Sequence, residues 1–342
     1  MRLGLVGYGL GGRYFHAPFI EAADDVTLAG VVTNSPTRRA ELAEDFPDVP
    51  VYASMTDLLD AGVDAVTITT PPQTRRDLVL EAIAAGIPTI ADKPFAPDAD
   101  AARALVAAAQ EAGVPVSVFH NRRWDADVRT LAKVLDSGAL GDLWSIESRF
   151  ELDLADYLDP GPDGGLLRDL GAHLVDQMVW LQGPVSSVFC CMDWLDLPEG
   201  RTDAFFTITM QHANGVRSTV TAGKVNRLDA KEYRAYGTDG SYVSRGTDVQ
   251  ATSIFAGDRP IDLGARWGYE AEPLWGFLRT ADGVTPVPSE QGAYQDYYSQ
   301  FAAALRGDAD FPVPAADVIP TLAVLDAARA SEAGGCVVQL PG

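Results

Sequence analysis

Two short stretches carry side chains able to move a proton or hold a negative oxygen. In DGGLLRDLGAHLVDQMVWL, residues 163–181, Asp169, His173 and Asp176 fall at i, i+4 and i+7. A helix over 169–181 sets all three on one face and leaves Leu174, Val175, Met178 and Leu181 to pack on the others. An imidazole with an ordinary pKa near ~6.5 accepts a proton at neutral pH, and a neighbouring carboxylate fixes its tautomer. In PTIADKPFA, Lys93 lies between Asp92 and Pro94, just past an apolar strand. A lysine at the carboxyl edge of a parallel sheet faces the place where ligands bind, and its ammonium polarises a hydroxyl or carbonyl oxygen. Taken singly, a surface lysine and a structural histidine capped by a carboxylate account for these stretches more simply.

A third stretch changes that balance. In RLGLVGYGLGGRYFHAPFI, residues 2–20, the apolar run Leu3–Val6 leads into Gly7, Gly9 and Gly12, which fit G-x-G-x-x-G. Gly7 permits the tight turn, Gly9 lets backbone approach a pyrophosphate, and Gly12 lets the next helix pack on the strand. The backbone of Leu10 and Gly11 completes the cradle, and the helix start offers free N–H groups to phosphate. Strand before and helix after are the context that makes three glycines a dinucleotide site.

The second strand ends in Thr33, Asn34 and Ser35, with Arg38 and Arg39 close behind. An acid at that point would accept the ribose 2′-OH of NAD; Asp24 and Asp25 lie at the other end of the strand. Small polar groups plus guanidinium suit a 2′-phosphate, so the expected cofactor is NADP, with NAD as the alternative. Solvent-facing arginines on the next helix are the competing explanation for one of the pair.

The elements around these groups alternate. Strands are expected at 2–6, 26–32, 63–69, 87–91 and 114–119, and helices near 12–23, 36–45, 55–61, 74–85 and 98–112. That order predicts a doubly wound parallel sheet with right-handed crossovers, the nucleotide-binding Rossmann domain, over residues 1–120. After a helix at 125–137, strands dominate: 143–151, 185–193, 204–212, 216–223, 232–238 and 248–255. The turn Ala213-Asn214-Gly215 marks a hairpin. Residues 121–342 therefore read as an α+β domain on a large open, mostly antiparallel sheet. Helices are expected near 166–182, 292–306 and 317–331, and the Gly-, Pro- and Trp-rich stretch 256–290 reads as an ordered excursion. The outer sheet face, if apolar, would serve a homodimer or homotetramer.

Length and composition agree. The chain has 342 residues, enough for two domains, and 47% of them are apolar. A net charge of −22, spread along the chain, disfavours nucleic acid and anionic membranes as partners. No apolar run is long enough to span a bilayer, and the sequence opens on its first strand without a basic, apolar leader. Cys190, Cys191 and Cys336 show no metal-ligand spacing and read as reduced thiols, so a cytoplasmic protein without a metal centre is expected.

Taken together, the glycine turn, DKP and GGLLRDLGAH resemble the signatures of the Gfo/Idh/MocA family of NAD(P)-dependent oxidoreductases, roughly G-x-G-x-x-G, E-K-P and G-G-x-L-x-D-x-G-x-H. The likeness extends to Thr70-Pro71-Pro72 and to YQDYYSQF at 294–301. GYGLGGRYFHAP and FHNRRWDAD (119–127) look more narrowly like its scyllo-inositol dehydrogenase branch. The resemblance implies Lys93 as the active-site lysine, Asp169 as its carboxylate partner and His173 as the general base. A polyol or sugar hydroxyl carbon would give up hydride to the nicotinamide while His173 takes the hydroxyl proton and Lys93 holds the developing alkoxide. It also implies cofactor contacts from Thr70, Pro71, Pro72, Lys93 and Asn121.

Substrate contacts are expected from Arg122 and Trp124, near the junction of the two expected domains, and from Asp153, Tyr157 and Asp176. A solvated loop accounts equally well for Asp153, Asp156 and Tyr157. His16 and His120 read as structural histidines, and His212 as a surface residue. Two positions depart from the family pattern: Asp92 replaces its usual Glu, and Arg75 stands where a His is common. The function expected is oxidation or reduction of a cyclic polyol, first scyllo-inositol. An aldose or dihydrodiol dehydrogenase, or a dinucleotide-binding regulator without turnover, are the alternatives.

Overall fold

The computed structural model describes residues 1–158, 160, 164–246 and 248–341, so Asp163, the first residue of the histidine-bearing stretch, lies outside it. The chain divides into two units, each built on its own sheet. The first comprises Met1–Asn121, Gln250–Trp267 and Ala293–Ile319. Its strands are β1 (Arg2–Val6), β2 (Thr27–Val32), β3 (Val51–Tyr52), β4 (Ala65–Ile68), β5 (Thr89–Ala91) and β6 (Val116–Val118). They pair in the order β3-β2-β1-β4-β5-β6, all parallel. The order reverses between β1 and β4, and the loops leaving those two strands flank that reversal. This is the expected doubly wound sheet.

Its helices begin with α1 (Ala17–Glu21), reached through a wide π-type turn at Gly11–His16, and α2 (Pro36–Asp45). They continue with α3 (Met55–Asp60), α4 (Pro72–Ala84) and α5 (Ala99–Ala112). Ser54 and Asp57 form a reciprocal capping box on α3, and Asp98 caps α5, which stops at left-handed Gly113.

The late segments of this unit are held by aromatic packing. Phe19 sits 5.0 Å from Tyr294 and 5.7 Å from Trp267, and Phe119 sits 5.0 Å from Tyr297, ring to ring.

The second unit comprises Arg122–Val249, Gly268–Gly292 and Pro320–Gly342. It contains α6 (Ala126–Asp136), β7 (Leu143–Glu151), α7 (Ala172–Gln182), β8 (Val185–Leu197), β9 (Gly200–His212), β10 (Arg217–Gly223), β11 (Ala230–Gly237) and β12 (Gly240–Ser244). With three later strands, β13 (Gly276–Thr280), β14 (Gly283–Val287) and β15 (Val338–Gln339), the strand order is β14-β13-β12-β11-β7-β10-β9-β8-β15, antiparallel except for β7 against β10. This is the expected large, mostly antiparallel sheet, and β9 and β10 form the expected hairpin.

Three readings need correction. Residues 248–255 form a helix, α8 (Val249–Phe255), and not a strand. Gln250, Ala251 and Ile254 are its buried face, a helical spacing, and the Gln250 side chain accepts from the Trp267 indole and the Tyr294 amide. The excursion after it holds α9 (Pro260–Leu263) and then the hairpin β13 (Gly276–Thr280) and β14 (Gly283–Val287), before α10 (Gln295–Arg306), α11 (Ile319–Gly334) and β15 (Val338–Gln339). The hairpin was not legible as strands because it adds to a sheet edge, where most of its residues stay exposed and no apolar alternation is needed.

His212 is buried, not exposed: Nδ1–H donates to the Gly183 carbonyl at 3.0 Å and Nε2 accepts from Ser218 at 2.8 Å. Burial lowers its pKa, as a neutral imidazole bridging helix end and strand requires.

The outer sheet face is not apolar across its middle strands. Thr209, Thr219, Glu147 and Arg234 lie in one cross-strand row, and Thr207, Thr221, Arg149 and Glu232 in the next. Among the described residues no helix is long and apolar enough to cross a membrane.

Candidate active site

The glycine turn has the geometry its sequence implies. Gly7 adopts φ +109°, and a Cβ on Gly12 would stand 2.3 Å from the Gly7 carbonyl oxygen. A Cβ on Gly9 would meet nothing within 4 Å, so backbone is open to a ligand there. Leu10, at the cap position of the wide turn Gly11–His16, makes no side-chain bond to the N–H groups that start it. These are the features a pyrophosphate requires, and the residues present fit it.

At the end of β2, Arg39 Nε donates to the Thr33 carbonyl at 3.0 Å and the Asn34 amide donates to Ala53 at 2.9 Å. Ser35 Oγ accepts from the Arg38 backbone N–H as the cap of α2. Arg38 pairs with Glu41 at 2.7 Å, and Glu41 also takes Arg13 at 2.9 Å. Arg39 is therefore the guanidinium fastened to the strand end, and Arg38 shares its charge with a carboxylate.

Lys93 leaves β5 on a tightly held loop. Asp92 Oδ1 accepts the Lys93 backbone N–H at 2.8 Å; Oδ2 accepts the Thr69 hydroxyl at 2.8 Å and lies 3.3 Å from His16 Nε2. Burial works against the Asp92 charge, but His16, Arg75 and Lys93 outweigh it and hold the carboxyl well below the usual carboxylate range. Arg75 clamps the loops after β4 and β5, donating to the Thr70 carbonyl at 2.8 Å and to the Pro94 carbonyl. The two departures from the family pattern thus lie in one network, Asp92 gripping the lysine's backbone and Arg75 stapling the neighbouring turns.

In the second unit a wide turn at Leu167–Gly171 runs into α7. Asp169 Oδ2 lies 2.7 Å from Lys224 Nζ, which also donates to the Tyr157 carbonyl at 2.9 Å. Asp176 is buried and takes the Arg123 guanidinium on both oxygens, at 2.7 and 2.8 Å. His173 is buried on the same helix. The three residues thus keep their sequence order on one turn and helix, but Asp169 and Asp176 meet different cations. Gly165, ahead of the turn, has φ +95°, and a Cβ there would strike the Asp203 carboxylate at 1.9 Å. Asp203 in turn accepts the Leu167 N–H at 2.5 Å and fixes the start of the turn.

Residues 1–120 match the family model for the oxidoreductase family with an NAD-binding Rossmann fold, and residues 128–243 match the GFO/IDH/MocA C-terminal domain. The chain belongs to the Gfo/Idh/MocA oxidoreductase family. It is 29% identical to scyllo-inositol 2-dehydrogenase (NADP(+)) of Bacillus subtilis, over 97% of this chain and 93% of that one. It is 34% identical to an oxidoreductase of Escherichia coli, over 95% and 94%. An oxidoreductase structure from Yersinia pestis superimposes with a TM-score of 0.90 at 30% identity, covering 100% of this chain and 97% of that one. As a member of this family the chain is an NAD(P)-dependent oxidoreductase.

The remaining expected residues of this Gfo/Idh/MocA chain are distributed as follows. In the first unit Thr70 and Pro71 lead into Pro72, the first residue of α4, and Asn121 is buried. In the second, Arg122 bridges Asp125 at 3.1 Å and Asp248 at 2.7 Å and stacks over Phe150. Trp124 is buried, Asp153 pairs with Arg227, and Tyr157 is exposed. Sequence reading missed Lys224, Arg123, Asp203 and the buried Lys231, which lies 2.7 Å from Asp125 and 3.1 Å from Asp127. Lys224 had a signal: like Lys93, it is a lysine just past a strand end.

Proposed function

We propose that this oxidoreductase is an NADP-dependent dehydrogenase interconverting one hydroxyl of a cyclic polyol or sugar and its ketone, with scyllo-inositol as first candidate. The observation that carries this is the Lys93 loop: a lysine held from its own backbone by Asp92, past the end of β5, with only β4 between that strand and the one that feeds the open glycine turn. A bound nicotinamide dinucleotide supplies the two-electron redox chemistry. The rest belongs to the chain. The Lys93 ammonium stabilises negative charge building on the substrate oxygen. His173 takes the hydroxyl proton in oxidation and returns it in reduction. Asp169 orients the reacting groups with Lys224 behind it. Arg122, Trp124, Asp153, Tyr157 and Asp176 are the proposed substrate-side contacts.

Arg39, with Arg38, is proposed to select the 2′-phosphate of NADP over NAD, and Thr33, Asn34 and Ser35 to shape that end of the pocket. The likeness to the Bacillus NADP-linked inositol enzyme supports both the cofactor and the substrate class. We also propose a cytoplasmic homodimer or homotetramer. Light scattering on the purified chain tests the assembly.

The deciding experiment follows reduced-nicotinamide absorbance while crossing NAD⁺ and NADP⁺ with inositols, aldoses and dihydrodiols. Turnover of an inositol with NADP⁺ is the expected result. Turnover of another alcohol alone moves the substrate class, and NADPH binding without any turnover favours a dinucleotide-binding regulator.

A further inference from the structure

We propose that His16 is a positioning residue that orients Lys93 through Asp92, an inference that rests on the proposed role of Lys93. His16 is fully buried, and its ring is fixed on three sides. Nδ1 lies 2.6 Å from the Tyr298 hydroxyl, Nε2 lies 3.3 Å from Asp92 Oδ2, and the ring lies against Phe119 with centroids 4.4 Å apart. The 3.3 Å approach falls outside good hydrogen-bond geometry, but an ionised carboxylate only accepts, so a proton on Nε2 is the arrangement that avoids two facing lone pairs. A histidine serving only to fill a core has no need to face a half-buried carboxylate, whose partial desolvation it must help offset.

The place of His16 in the chain gives the contact its meaning. The wide turn at Gly11–His16 passes beside Asp92 at its start and meets it at its end. At its start, a Cβ on Gly11 would stand 2.8 Å from Thr69 Oγ1 and 3.5 Å from Asp92 Oδ2. At its end, His16 meets the same carboxylate oxygen. The other oxygen holds the Lys93 backbone N–H. The glycine turn and the residue that carries the ammonium therefore share one half-buried acid. Its shorter Asp side chain is drawn between Thr69 and His16, and this keeps the lysine in register with the turn.

Two substitutions separate the nitrogens. His16→Gln places an amide nitrogen near the position of Nε2 and keeps a donor to Asp92. His16→Asn places one near Nδ1 and loses that donor. Hydrogen–deuterium exchange at the Lys93 amide, read by mass spectrometry on the protein without dinucleotide, reports the effect directly. In His16→Asn, exchange is expected to be at least ~10-fold faster and kcat at least ~10-fold lower, with NADPH affinity by fluorescence within about threefold of wild type. His16→Gln is expected to recover most of both.

Equal impairment in the two variants, or unchanged exchange in His16→Asn, overturns the proposal in favour of simple core packing. If the Asn variant does not fold, Tyr298→Phe takes its place. It deletes one hydroxyl and is expected to raise Lys93 exchange about threefold; unchanged exchange again overturns the proposal. The exchange measurement needs no substrate, so its outcome stands whether or not the wild-type protein oxidises any alcohol tested.

Discussion

Lys224 Nζ lies 2.7 Å from Asp169 Oδ2, with the Tyr157 carbonyl as its second acceptor. The ammonium is almost wholly buried just past β10, so leaving Asp169 and the Tyr157 carbonyl would strand a desolvated charge without partners. Lys224→Met keeps the stem and removes the charge. We expect turnover to fall about tenfold, with dinucleotide affinity unchanged in a fluorescence titration. Wild-type turnover would make the pair purely structural.

Lys93 and His173 are expected to act on the reacting oxygen and its proton. Lys93→Ala and His173→Ala should each lower kcat at least ~10²-fold while leaving NADPH binding near wild type. Steady-state kinetics beside binding measurements checks both, and near-normal kcat in either variant removes that residue from the mechanism.

Cofactor preference rests on the end of β2, where Arg39 is tied to the Thr33 carbonyl. Arg39→Ala combined with Arg38→Ala should weaken NADPH by about tenfold or more and leave NADH nearly unchanged, because each guanidinium–phosphate contact is charge-assisted. Equal losses for both dinucleotides would assign the arginines to the helix surface alone.

Asp127 gives the second unit a pH dependence. Burial pushes its carboxyl up to about 7, with Asp125 and Glu270 adding to the rise and Lys231 opposing it. Unfolded, the same carboxyl titrates near ~3.9. Between those values the folded chain holds a proton that the unfolded chain has lost, so stability falls as pH rises from about 4 to about 7 and is flat above. The slope from this group is at most about 1.4 kcal/mol per pH unit. Asp127→Asn should remove it, and urea unfolding of both proteins at intervals across that range measures the difference.

Much of the site was legible because it is local. Gly7, Gly9 and Gly12 specify a turn through their own backbone freedom, and Ser54, Asp57 and Asp98 specify helix starts through bonds to near neighbours. Lys93 was legible from its place at a strand end. What read poorly were elements whose conformation is set by distant partners. The stretch 248–255, with Val249, Thr252, Ile254 and Phe255, suggested a strand, yet Gln250 is buried against Trp267 and Tyr294 and the segment is helical from Val249. His212 looked like a hairpin-tip residue until the Gly183 carbonyl supplied its partner.

The sequence by itself determined the parallel nucleotide-binding sheet and the glycine turn, and it picked out the candidate proton-handling groups, because short contiguous runs dictate hydrophobic period, turn chemistry and caps. Only the tertiary structure decided which charges meet. Asp92 finds His16 and Thr69, Asp169 finds Lys224 at a separation of 55 residues, and Asp176 finds Arg123 at a separation of 53. Such pairings depend on strand order and register, which no local pattern encodes. Burial then makes them consequential, since a charge removed from water must be met by a partner that the fold brings from elsewhere in the chain.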